Sequence, residues 1–390
     1  MAETNLVTLE KVLKEEYLPL INNLAGVEPS PLLSKIKKEK LDSDKIVSAA
    51  PIGLIGNFGM SAEGNDTPGS GSRLWERFDA RAKDMYSNIE ISEKALRLTG
   101  EKGAMANALK DTVKACYEEI KFHTGRQLFG DGTGKLCTYA ALSSGGNTVT
   151  VSDTMYLKEG MTVDFHKASD NSIDKAKRRI IAIDYATKAV TFDGDATTLA
   201  AGYMTVQNSY NRELTGLGAV FNNSVTHIYG LAKASNPILK PISESAGNDI
   251  TDDKIRKILT TAKRQRGSNI DMILCGDNAF SAYSRYLDEK RDTPRTLDLE
   301  GGFKAISFFM DNREIAVVSE QFVPTNSMWC VDTSEMVLKQ TEWDYVDQST
   351  GGIFTLVPGK SVYRALMANY GELIIKRPGS CVEITNCNDN

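Results

Sequence analysis

The chain has very little histidine and nothing arranged like a metal site. Among its 390 residues only three are histidine, at 123, 166 and 227, and six are cysteine, at 116, 137, 275, 330, 381 and 387. No CxxC occurs, and the spacing matches neither a disulfide framework nor a zinc ligand set, so reduced, mostly buried thiols are expected. His123 has Gln127 four residues on, where a metal pair on a helix would need a carboxylate or thiol. There is no HExxH zinc signature and no GxSxG nucleophile elbow. Long apolar runs are missing too, which excludes a membrane-spanning helix on length. The opening stretch MAETNLVTLEKVLKEEYLPL has acids where a secretion signal carries bases and lacks its apolar middle, so synthesis in the cytosol is expected. A net charge of −5 argues against a dedicated nucleic-acid binder. It leaves open a wall that merely encloses nucleic acid.

Several motifs look chemical and fail on inspection. Gly130-Asp-Gly-Thr-Gly-Lys135 resembles a phosphate loop, but its spacing is wrong and Leu136 stands where a magnesium-holding hydroxyl belongs. It also follows a helical pattern instead of a strand, so a helix-ending turn is the reading. Asp193-Gly-Asp195 lacks the later ligands of a calcium loop and reads as a strand-to-strand turn. No carboxylate stands in an apolar setting that would raise its pKa. The basic clusters at 35–40, 175–179 and 263–266 read as solvated faces. No catalytic, metal or cofactor-binding residue is assigned, and an enzyme is not expected.

What is present is architecture. The hydrophobic fraction (41%) and charged fraction (25%) are those of a globular protein, and the length allows two or three compact units. Ile89, Ile91, Ala95, Leu96 and Leu98 suit a half-buried strand. After Thr99–Gly103, residues Met105, Leu109, Val113, Cys116 and Ile120 recur at steps of three and four on one helical face. Alanines 106, 108 and 115 favour helix, and the pattern runs to Leu128 before the glycine turn. Such a helix, about 37 Å long at 1.5 Å per residue, is a strut across a domain.

Around the strut lie unlike pieces. In residues 1–44, Leu6, Leu9, Val12 and Leu13 form an apolar face that fits either an arm packed on neighbours or a helix docked on its own domain. Residues 45–86 read as two extended runs around a loop-like tip, SAEGNDTPGSGS, with a disordered surface loop as the alternative. Short β-type runs at 148–151, 161–165, 179–183, 189–192 and 203–206 read as a small barrel or sandwich. Thr251–Arg266 is a capped helix and Asn278–Leu287 a second. Strands at 272–275, 303–310, 314–319, 327–331 and 335–339 are expected to form one sheet flanked by these helices. Runs at 362–368 and 373–376 read as closing strands, and 386–390 as a loose polar tail.

A strand leading through a turn into a long helix that ends in Gln127-Leu-Phe-Gly-Asp-Gly-Thr-Gly134 resembles the spine-helix region of a tailed-phage major capsid protein of the Hong Kong 97 type. Asp298-Leu-Glu-Gly-Gly-Phe-Lys304, Trp343-Asp344 and Tyr370-Gly-Glu-Leu-Ile-Ile-Lys-Arg-Pro-Gly379 follow in the order that family has. The resemblance spans nearly the whole chain. It implies an α+β capsid fold with spine helix, peripheral and axial domains, extended β-hairpin loop and N-terminal arm, plus a small inserted β-barrel-like domain. The implied boundaries are an arm at 1–44, the extended loop at 45–86 and a peripheral domain with the spine at 87–142. The insertion at 143–208 projects on the outer side, the peripheral domain resumes at 209–248, the axial domain takes 249–358, and return strands with the tail take 359–390.

By the same resemblance the chain forms hexamers and pentamers in a virion shell around double-stranded DNA, made in the host cytoplasm. A separate scaffolding protein, a portal and a decoration protein are the candidate partners, with no membrane and no cofactor. Candidate interface residues are Ile55, Phe58, Met60, Arg73, Leu74, Trp75 and Phe78 on the ribbon. One branch of the family crosslinks a loop lysine to a neighbour's asparagine; residues 59–72 hold no lysine, so no such crosslink is expected. An encapsulin-like compartment shell is the alternative, and an α/β enzyme on the 251–339 sheet a weaker one.

Overall fold

The computed structural model describes residues 13–25, 30–52, 58–63, 65–66, 69, 71, 74–94, 102–247, 250–290, 296–299, 302–346 and 352–388. Its first described residues pack on the rest of the chain. A π-type turn at Leu13–Tyr17 and helix α1 (Leu18–Ala25) bury Leu13 and Ile21, respectively, in one cluster with the long central helix. The Asn22 amide grips the Trp343 backbone on both sides, accepting from its N–H at 2.7 Å and donating to its carbonyl at 3.0 Å. Ser30 caps a 3₁₀ turn that buries Leu32 and Leu33, and strand β1 (Lys37–Lys40) follows. Leu6, Leu9 and Val12 of the expected apolar face lie outside the described residues.

Strands β2 (Lys45–Ile52) and β3 (Leu74–Arg81) form an antiparallel ribbon, with Lys45 opposite Arg81 and Ile52 opposite Leu74. The next strand, β4 (Lys83–Ser92), alternates covered and exposed residues with period two. It ends before Ala95, Leu96 and Leu98, which lie outside the described residues. Helix α2 (Lys102–Phe129) has 28 residues, about 42 Å of rise at 1.5 Å each. It ends at Gly130-Asp131, where the Asp131 carboxylate accepts from the Thr133 N–H at 2.9 Å and from its hydroxyl. Gly134 adopts φ +74°, and a Cβ there would stand 2.6 Å from the Ser209 carbonyl, so the turn requires glycine.

A six-stranded sheet follows, built from β5 (Lys135–Tyr139), β7 (Thr148–Thr150), β8 (Thr162–Lys167), β9 (Ile173–Asp184), β10 (Ala189–Phe192) and β12 (Gly202–Val206). Its order is β5-β12-β8-β9-β10-β7, and a bridge between Tyr139 and Val151 joins the two ends into a closed barrel. Strands β6 (Leu142–Gly146) and β11 (Thr197–Leu199) pair beside it. Closure removes the open edges that a small sheet would otherwise expose. Val163, Phe165, Val190, Phe192 and Met204 fill the interior with no exposed surface. The unit begins earlier than the expected boundary at 143, because Lys135–Tyr139 supplies the strand on which β12 pairs and the sheet closes.

Short helix α3 (Leu217–Phe221) and a hairpin of β13 (His227–Ile228) and β14 (Leu231–Ala232) lead on to β15 (Ile242–Ser245). Helix α4 (Asp252–Arg266) is capped by Thr251, whose hydroxyl accepts from the Lys254 N–H, and stopped by Gly267 at φ +63°. Then come β16 (Met272–Cys275), α5 (Asp277–Glu289), β17 (Thr296–Asp298), β18 (Lys304–Met310), β19 (Arg313–Ser319) and β20 (Met328–Val331). With β25 (Val382–Thr385) they form a seven-stranded sheet ordered β15-β25-β20-β16-β19-β18-β17. Alternate residues face opposite ways. Ile273, Cys275, Val317 and Cys330 meet α4 and α5, while Met272, Leu274, Ala316 and Trp329 join the main core.

The remaining strands, β21 (Met336–Gln340), β22 (Asp344–Tyr345), β23 (Phe354–Leu356) and β24 (Val362–Ile375), build a sheet with β1 and β4. Three expectations change here. The 335–339 strand belongs to this sheet and not to the α4/α5 layer, because β24 pairs with it from Met336–Ile375 to Gln340–Gly371. The two closing runs are one 14-residue strand, since Asn369, Tyr370 and Gly371 stay paired with β4. The tail is anchored as far as Cys387, which is fully buried with its N–H bonded to the Asn326 carbonyl at 2.9 Å.

Candidate assembly interface

The ribbon divides into an anchored base and an uncovered outer part. On its inward face Ile46, Phe78 and Ala80 are buried on their own chain. Phe78 stacks on Tyr229 with ring centroids 5.2 Å apart, and the Asp79 N–H bonds the Tyr229 carbonyl at 3.3 Å. Tyr229 is itself fixed: its hydroxyl donates to the Leu373 carbonyl at 2.8 Å and accepts from the Ile375 N–H at 3.1 Å. Phe78 therefore leaves the interface set and becomes a core residue. Strand alternation explains the difference, because Phe78 and Trp75 are three residues apart and point to opposite faces.

The outward face is bare. Val47 is 51% exposed and Trp75 57%, and beyond the strands Phe58 and Met60 reach 88% and 96%. Arg77 and Lys45 both pair with Asp79, at 3.1 and 2.8 Å, so the charges of this face are clustered next to the base. Ile55 and Arg73 lie outside the described residues, as does the Leu74 side chain. Of the candidate interface residues, Phe58, Met60 and Trp75 are exposed and Phe78 is buried.

The central helix packs on the sheet that follows the ribbon. Val113, Cys116 and Ile120 are buried in one cluster with Ile89 of β4 and Ala365 and Met367 of β24. The Cys116 thiol and the Ser87 hydroxyl lie 3.0 Å apart, and burial pushes the thiol pKa up. The side chains of Met105 and Leu109 lie outside the described set. At the far end of α2, Arg126 and Glu213 form a two-pronged ion pair at 2.8 and 2.6 Å, both almost wholly buried.

Two buried carboxylates, Glu320 and Glu372, correct the expectation that no acid stands in an apolar setting. Burial pushes Glu320 up to about 7, although its Oε2 accepts from the Ser30 hydroxyl at 2.7 Å. Burial likewise raises Glu372 to about 7, while its Oε1 accepts from the Thr215 N–H at 2.7 Å. Both hold distant segments together: Ser30 belongs to the N-terminal segment and Thr215 to the loop over the end of α2. Each acid stands beside an apolar run, Ile315–Val318 before Glu320 and Leu373–Ile375 after Glu372, but the partners that hold them, Ser30 and Thr215, lie far away in sequence.

Burial lowers His123 to about 3, with Arg126 and Lys158 adding to the effect. Among the described residues no cluster of three His, Cys, Asp or Glu side chains could hold a metal ion. All six cysteines are free and buried. Two open clefts, of about 800 and 870 Å³, flank α2 near Trp343 and Arg212. The second is lined by Arg126 and Glu213, whose carboxylate is already held by the two terminal guanidinium nitrogens.

No family model matches the chain, and no curated protein matches it in sequence. Similar solved structures do exist. The capsid asymmetric unit of cyanophage A-1(L) aligns over 95% of this chain and 92% of its own at 12% identity, with a TM-score of 0.50. The holo-SrpI encapsulin complex of Synechococcus elongatus aligns over 91% and 85% at 8% identity and a TM-score of 0.48. The capsid of a native GTA particle aligns over 93% and 91% at 8% identity and 0.46. With its long central helix, ribbon and two mixed sheets, and aligned over 95% of its length with the cyanophage capsid chain, this chain has the Hong Kong 97-type capsid fold.

Proposed function

We propose that the chain is a major capsid protein, which assembles as hexamers and pentamers into an icosahedral head shell around double-stranded DNA. One observation carries the reading: in a capsid-type fold, Val47 and Trp75 on the ribbon and Phe58 and Met60 between its strands in sequence are exposed large apolar side chains. A large exposed apolar surface has a cost in water that a neighbouring copy would remove. Phe58, Met60 and Trp75, with Ile55, Arg73 and Leu74 beside them, are the proposed contacts with the next subunit. The barrel is proposed to project on the outer side of the wall.

The role is structural, with no substrate and no cofactor, and the ribbon acts by non-covalent burial. Scaffolding, portal and decoration proteins are the proposed partners, and the virion capsid the proposed location. Negative-stain microscopy of the recombinant protein tests this directly. Closed shells or six- and five-fold capsomers are expected. Uniform small particles at every protein concentration would overturn the reading, and shells that carry a cargo enzyme in place of nucleic acid would transfer it to a compartment shell.

A further inference from the structure

Helix α4 carries six basic residues and no acidic one between Lys254 and Arg266, in a chain whose net charge is −5. The helix covers one face of the seven-stranded sheet through Ile255, Leu259 and Ala262, which leaves its opposite side exposed. Arg256, Lys257, Lys263 and Arg264 all lie on that exposed side. At 100° per residue they fall within one stripe, and the pairs 256/257 and 263/264 stand roughly 10 Å apart along the axis. Two further bases crowd the helix end. Arg313 bonds the Asn269 side chain, and the Arg377 guanidinium donates to the Arg266 carbonyl.

Local structure accounts for only part of this charge. The helix dipole favours Lys263, Arg264 and Arg266 in the last turn, but it gives nothing to Lys257 in mid-helix. Arg256 lies over the Phe308 ring at 5.1 Å, and Lys263 pairs with Asp311 at 2.7 Å. For Lys257, Arg264 and Arg266 there is no ion pair among the described residues. The stripe is therefore a surplus of positive charge on a rigid element, with two clusters spaced to reach separate phosphates. The major groove is about 12 Å wide, close to that spacing.

We propose that this α4 stripe is a contact surface for the phosphate backbone of double-stranded DNA, so that the α4/α5 layer faces the interior of the shell. The inference rests on the shell reading above and adds to it the orientation of the subunit and a set of DNA-facing residues. Contacts of this kind neutralise phosphates without reading sequence, and they weaken steeply with salt.

Two measurements on the full chain test it. Binding to a duplex of about 30 base pairs is followed by anisotropy across a salt series, with the wild type beside a Lys257→Gln, Lys263→Gln, Arg264→Gln variant. The slope of log affinity against log salt should fall by about 2–3 in the variant, at roughly 0.9 per phosphate contact. An unchanged slope, or no binding by the wild type at low salt, overturns the proposal. The second measurement needs no substitution: assembled shells are treated with a bulky amine-reactive reagent that cannot cross the wall, and the modified lysines are identified. Lys257 should be protected in intact shells and labelled after dissociation. Equal labelling in both overturns the proposal and leaves the shell reading standing. If no shells form while the variant still loses its salt slope, the shell reading falls and the DNA-binding surface stands.

Discussion

Arg126 on the central helix and Glu213 on the loop that wraps its end, 87 residues apart, are locked together by two parallel hydrogen bonds and are 2% and 4% exposed. Such a pair is weak evidence for stability, because desolvating both charges offsets much of their attraction. Breaking it is another matter. Arg126→Met should cost about 3–5 kcal/mol by leaving Glu213 buried and alone, and an Arg126→Met, Glu213→Met double variant should recover most of the loss. Urea denaturation of the soluble subunit measures both. Equal losses in the single and double variants would show that packing, and not charge, holds the loop.

The two raised carboxylates predict how stability depends on pH. Glu320 and Glu372 titrate near 7 in the folded chain, against 4.5 as the ordinary value. Below about 4.5 both are protonated in the folded and the unfolded chain, so their stabilising effect is fully present there. As pH rises towards 7 the unfolded chain releases protons that the folded one keeps, and stability falls, by up to about 3 kcal/mol per residue. Glu372→Gln should therefore melt higher than wild type at pH 8 and show a flatter profile between pH 5 and 7. The Gln oxygen can still accept from the Thr215 N–H. A variant with an unchanged pH slope would place the titration elsewhere.

The ribbon residues should separate into two classes. Phe78→Ala removes a buried ring stacked on Tyr229 and should cost the isolated subunit about 3–5 kcal/mol. Phe58→Ser and Met60→Ser alter side chains that touch little of their own chain, so subunit stability should change by less than about 0.5 kcal/mol. Shell yield should nevertheless drop sharply. Thermal melts and electron microscopy on the same preparations decide it, and normal shell yield from the Phe58, Met60 double variant would remove the ribbon tip from the interface.

Central-helix continuity is open to a single substitution. Lys114 is exposed, so Lys114→Pro leaves core contacts alone while removing one backbone hydrogen bond and kinking the helix, a cost of about 3 kcal/mol or more. Ile120→Ala, a few residues on, should cost about 2–5 kcal/mol through a cavity in the cluster shared with Ile89 and Met367. Closed shells should be lost with the proline even where subunits stay soluble. Heat-resistant shells from it would mean that the strut does not need to be straight.

Barrel closure gives a boundary test. A fragment of residues 135–207 should give a strand-type spectrum and a cooperative melt. A fragment starting at 143 lacks the strand that meets both β12 and Val151, and should not. Equal behaviour of the two fragments would show that closure is dispensable.

Elements whose signals lie within a few residues of one another are legible in the amino-acid sequence by itself. The central helix follows from apolar spacing and alanine content, α4 from its Thr251 cap and Gly267 stop, and the barrel strands from period-two runs between turns. These are local free energies, set by neighbours in sequence. Which sheet a strand joins is not local. Met336–Gln340 looks like its predecessors but pairs with β24, because 14 continuous residues of β24 offer it a partner. Nor could sequence alone tell which aromatic of the ribbon is anchored. Alternation puts Phe78 and Trp75 on opposite faces, but only Tyr229, brought up by a hairpin 151 residues further on than Phe78, decides which face is buried. The same holds for Arg126 with Glu213 and for Glu320 with Ser30. Their partners are chosen by tertiary packing, and burial and electrostatics act between residues close in space, wherever they stand along the chain.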